Sequence, residues 1–94
     1  MTVSPEAAEG LAVRALLWLS GDPERMAGFL GATGANAADL RGEARDPAFL
    51  GAVLDYVLAA DESVLDFAAA EGLRPEMVAE ARAALPGGAD PHWT

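Results

Sequence analysis

Ninety-four residues with no cysteine fit a single domain and exclude disulfides, thiolate metal sites and cysteine nucleophiles. Apolar residues make up 52% of the chain, but many are Ala, so the expected core is one of closely spaced helices with no wide cavity. The net charge of −9 is uneven: residues 1–45 set six carboxylates against four Arg, a balance of −2, and residues 46–94 set nine against two, a balance of −7, which repels phosphate backbones and attracts basic proteins.

The first predicted helix covers 5–20. Ser4 caps it and Pro5 takes the first helical position, where a missing N–H costs nothing. Its apolar residues Ala8, Leu11, Ala12, Ala15, Leu16 and Leu19 recur at helical spacing. Asp22-Pro23 starts a second helix over 23–33, and Asn36 starts a short one over 37–44. Asp46-Pro47 starts a fourth over 47–60, with Leu50, Val53, Leu54, Val57 and Leu58 on one face. Asp61 is the expected cap of a fifth over 62–71, and Arg74-Pro75 opens a sixth over 75–85. Gly21, Gly34 and Gly72 suit the left-handed position just past a helix end. No stretch alternates with period two, so no strand is predicted, and "PGGADPHWT" after Leu85 reads as an extended tail.

The expected fold is therefore all-α: one domain over 1–88 with five or six short helices, then a tail over 89–94. A shift of 38 residues superimposes Leu16 on Leu54, Trp18 on Tyr56, Leu19 on Val57, Phe29 on Phe67, Gly34 on Gly72 and Leu40 on Val78. The matched positions are aromatics, a helix stop and spaced apolar residues. They point to two helix-turn-helix-like halves, with the long helices central. No secretory signal opens the chain, and each long apolar run is interrupted by an ionisable residue, so a soluble cytoplasmic protein is expected.

The segments "FLGATG", "FLGAVLDYVLAADE" and "FAAAEGLRPE" together resemble a family of short acidic bacterial proteins that carries only a domain-of-unknown-function label. The resemblance runs from about Leu16 to Gly88. It implies a whole-chain helical domain and supplies no catalytic or binding residues.

The stretch "FAAAEGLRPEMVAEARAAL" has the shape of a DNA-reading helix pair. If Val78, Ala81 and Leu85 face the core, the outer face of the last helix presents Glu76, Ala79, Glu80 and Ala83. Carboxylates and methyls cannot hold a phosphate, so the motif reads as a packing unit and nucleic acid is disfavoured. The matching positions of the first half are Ala38, Arg41, Gly42 and Arg45. Arg41 and Arg45 form the single basic cluster of the sequence. They are the candidates for an anion or partner contact, unless Asp39, Glu43 and Asp46 pair with them.

Asp55, Asp61, Glu62 and Asp66, with Glu76 and Glu80, read as a solvated acidic surface with no partner base. His92 and Asp90 offer two metal ligands, short of a full set. Ser4, Ser20 and Ser63 have no nearby His, and "LGATGANA" lacks the strand and Lys of a phosphate loop. No cofactor is implied. Trp93 either folds back on the core, the preferred reading, or anchors a partner. The function expected on these grounds is a small acidic protein-interaction or regulatory module, working with a protein partner or as a homo-oligomer, without catalytic activity. A helix-turn-helix DNA regulator is the first alternative, and an enzyme with an unrecognised acidic site the second.

Overall fold

The computed structural model describes residues 3–87. Trp93, His92 and Asp90 lie outside them. The first helix, α1, is Pro5–Ser20, with Ser4 Oγ accepting from the Ala7 N–H at 3.1 Å. The second, α2, is Pro23–Thr33, where one Asp22 carboxylate oxygen accepts from the Glu24 and Arg25 N–H groups. A 3₁₀ turn, Ala37–Asp39, capped by the Asn36 side chain, runs into α3, Leu40–Glu43. Then come α4, Pro47–Leu58, capped by Asp46; α5, Asp61–Glu71; and α6, Glu76–Ala83. Among the described residues there is no strand. The all-α expectation holds, and the caps before Pro explain why three starts fall where the sequence puts them.

Three local expectations are corrected. Asp61 does not cap α5. Ala60 occupies the cap position in extended conformation with no side-chain bond, and Asp61 and Glu62 sit in the first turn, where their charge still favours the helix dipole. The same Ala60 explains why α4 stops at Leu58 instead of running to residue 60: the break falls on Ala59-Ala60, with neither Gly nor Pro to announce it. Gly21 is right-handed, with φ −75°, because the chain turns directly from α1 into the Asp22 cap. Gly34 and Gly72 do adopt the left-handed conformation, at φ 74° and 67°.

The long helices α1 and α4 pack against each other at the centre, with α2 and α5 laid on them and α6 packed on both. All six apolar residues expected on the first face are buried. So are Leu50, Val53, Leu54 and Val57 of α4, and Val78, Ala81 and Leu85 at the α6 end. Ala8, Ala12 and Ala15 leave α1 thin enough for its neighbours to approach closely. The radius of gyration, 12.5 Å, is that of a compact chain of this length, about 12 Å.

The 38-residue register survives in three dimensions. The ends of α1 and α4 coincide under it, α2 maps onto α5 end to end, and the two left-handed glycines coincide. Phe29 and Phe67 are both fully buried. The aromatic contacts are reciprocal. Trp18 of the first half meets Phe67 of the second at 5.5 Å, and Tyr56 of the second meets Phe29 of the first at 5.6 Å. Reciprocal exchange of this kind is what a two-fold relation between halves produces. Within it α3 and α6 are unequal. The last helix closes over both long helices, whereas α3 is a single turn with no buried residue.

Candidate functional site

The inequality of the halves creates the most distinctive surface. In the second half, Gly51 of α4 leaves room for the Arg82 guanidinium of α6. A Cβ at that position would sit 2.7 Å from Arg82 Nη1. Arg82 Nε and Nη2 donate to the two carboxylate oxygens of Asp55 at 2.6 and 3.1 Å, and Nη1 donates to the Pro86 carbonyl at 2.9 Å. Its side chain is only 15% exposed. The ion pair, two-pronged and well aligned, lies over the α4–α6 seam as a polar cover.

The first half replaces all three members. In the 38-residue register Gly51 corresponds to Val13, Asp55 to Leu17 and Arg82 to Ala44. No ion pair forms there. An apolar groove of about 240 Å³ opens instead, lined by Val13, Leu16, Leu17, Met26, Leu40 and Ala44, with Ser20 and Arg41 at its polar positions. Leu17 is 65% exposed on its wall. With Val13, Leu16, Met26, Leu40 and Ala44 it forms one small apolar patch.

A second groove, about 430 Å³, lies between the end of α4 and the starts of α5 and α6. Leu58, Val64 and Leu65 form its apolar wall, and Asp61 and Glu76 give it negative charge. Leu65 is 57% exposed. Three of its residues, Leu58, Val64 and Ala79, are the register partners of Ser20, Met26 and Arg41 in the first groove. The two grooves are thus related positions that carry opposite charge.

The sequence candidates divide between these surfaces. Arg41 lines the first groove; Arg45 follows in the turn after α3 and does not. Among the described residues neither makes an ion pair, so the pairing with Asp39, Glu43 or Asp46 considered from sequence is not formed. The acidic candidates are not one cluster. Asp55 pairs with Arg82, and Asp66 lies 3.7 Å from Arg25, which also reaches Asp22 and stacks 4.2 Å from the Trp18 ring centroid. Asp61 lines the second groove, and Glu62 is exposed beside it on α5. Glu76 is exposed, and Glu80 lies 3.9 Å from Arg74. Leu17 and Leu65 are absent from the sequence candidates. Their signal is an apolar residue off the buried stripe of its own helix.

Among the described residues no polar or charged side chain is buried, and no set of three or more His, Asp or Glu is placed to hold a metal. No described helix is long and apolar enough to cross a membrane.

Fold and surface together define an all-helical domain of two related halves, one with an ion pair over the position that the other leaves apolar, and each with a groove of its own. Residues 5–88 match the family described as a protein of unknown function, DUF3572, and the chain belongs to that family. No curated protein and no solved structure matches it.

Proposed function

We propose that this protein is a small acidic protein-interaction module, without catalytic activity, that acts in the bacterial cytoplasm and uses the groove walled by α1, α2 and α3 as its docking face. The observation that carries the reading is the exchange of Gly51, Asp55 and Arg82 for Val13, Leu17 and Ala44. One half spends a two-pronged ion pair on covering this position; the other exposes Leu17 in its place. Burying such a groove against a partner removes apolar area from water, at about 25 cal/mol per Å² before the costs of association. Arg41 at its edge supplies orientation and selectivity for an acidic group.

The test is affinity capture from the native cell with the wild type and with Leu17→Asp. Leu17 is exposed, so the substitution leaves the fold intact. A partner retained by the wild type and lost by Leu17→Asp supports the reading. No retained partner, or one indifferent to Leu17→Asp, contradicts it.

The DNA-binding alternative is disfavoured by the outer face of α6. Glu76, Ala79 and Ala83 are exposed there, and Arg82 is turned away into its pair with Asp55. Random duplex DNA titrated at about 50 mM salt should show no salt-sensitive binding. Measurable affinity that falls steeply with salt would revive the alternative.

A further inference from the structure

We propose that the occupant of the first-half groove is the second-half groove face of another copy of this chain, in a head-to-tail pairing. The inference rests on the docking role of the first groove and names what fills it. Three observations carry it. Each groove has one strongly exposed leucine on its wall, Leu17 on the first and Leu65 on the second. The charges are complementary: Arg41 lines the first groove, with Arg45 just beyond it, while Asp61 and Glu76 line the second, with Glu62 beside them. Arg41 and Arg45 make no ion pair within the described part of the chain, and neither do Asp61, Glu62 and Glu76. Both sets therefore keep their capacity for a partner.

Pairing of unlike faces excludes two simpler arrangements. Two first-half grooves set face to face would bring Arg41 against Arg41. Two second-half grooves would oppose four groove carboxylates. Like charges opposed across an interface disfavour both arrangements. The unlike pairing places Leu65 against the Val13, Leu16, Leu17 and Met26 wall, with Asp61 and Glu76 towards Arg41. In a pair of copies one groove of each kind stays unused, one on each copy, so the contact is heterologous and extends beyond a dimer into a ring or chain of copies. The net charge of −9 on every copy opposes the local attraction. The association is therefore weak, and is sought at protein concentrations up to about 1 mM in about 0.15 M salt.

The experiment is sedimentation equilibrium of the full chain, the variants Leu65→Glu and Arg41→Glu, and their equimolar mixture. Both side chains are exposed, and melting curves confirm that the variants fold. The wild type should associate past the dimer as concentration rises. Each variant alone should lose at least about tenfold in association constant. The mixture should form a one-to-one dimer that grows no further, because Leu65→Glu keeps its first groove and Arg41→Glu keeps its acidic face. A wild type that is monomeric at about 1 mM overturns the proposal, as do single variants that associate like the wild type and a mixture that stays monomeric. If the wild type is monomeric yet captures a different protein in a Leu17-dependent way, self-pairing falls and the docking role of the groove stands.

Discussion

Gly34 and Gly72 show how a single residue sets the path of the chain. Both hold φ near +70°, where a Cβ costs about 1–2 kcal/mol in most residues. Nothing else crowds either position. Gly34→Ala and Gly72→Ala are each expected to lower unfolding free energy by about 1 kcal/mol, read as a shift in urea midpoint at constant slope. Arg82 is the other residue whose removal is informative. Arg82→Ala frees the Asp55 carboxylate and the Pro86 carbonyl and removes the guanidinium that packs over Gly51. Asp55 is more than half exposed, so the pair is partly screened. The expected loss is about 1 kcal/mol, measured by denaturant unfolding, and Asp55→Asn should cost less. The sequence shows Arg82 and Asp55 only as two charges 27 positions apart. Their meeting depends on α6 crossing α4 and on the missing side chain at Gly51, a long-range fact that no local pattern carries.

At the scale of elements, the helices were legible because their ends are chemically marked. Ser4, Asp22 and Asp46 each precede a Pro and each accepts a backbone N–H. The buried faces of α1 and α4 follow from apolar spacing alone. The break between α4 and α5 was legible through Asp61, but its exact place was not, since the two alanines at 59 and 60 favour continuing the helix. The difference in burial between a central helix and α3 makes a prediction. Leu54 is fully buried between the long helices, whereas Leu40 of α3 is half-buried beside the open groove. Leu54→Ala should cost about 3 kcal/mol and Leu40→Ala under about 1.5 kcal/mol, by the same unfolding assay. Phe29 and Phe67, equivalent and both fully buried, should cost about 3–5 kcal/mol each when cut to Ala. A large difference between the two phenylalanines would show that the halves do not share the core equally.

Across the whole molecule, the related halves account for both the architecture and the surface. The 38-residue register was visible in sequence as matched aromatics and a matched glycine. The reciprocal Trp18–Phe67 and Tyr56–Phe29 contacts give it a physical form. The groove was hidden because it is a difference between halves, produced by Val13, Leu17 and Ala44 standing where Gly51, Asp55 and Arg82 stand. Reading it requires knowing that these six residues occupy equivalent places. Arg41 was reached from sequence as one of a basic pair, with Asp39, Glu43 and Asp46 as its possible partners, but the apolar wall beside it was not. We propose that the first-half groove is the docking face of this protein and that a second copy fills it. Amide ¹⁵N–¹H spectra recorded through a dilution series test that claim most directly. Concentration-dependent shifts should centre on Leu17, Met26, Arg41 and Ala44 and, on the other face, on Asp61, Leu65 and Glu76. Shifts centred away from both grooves, around Glu80 and Ala83, or spectra that do not change with concentration, would contradict it.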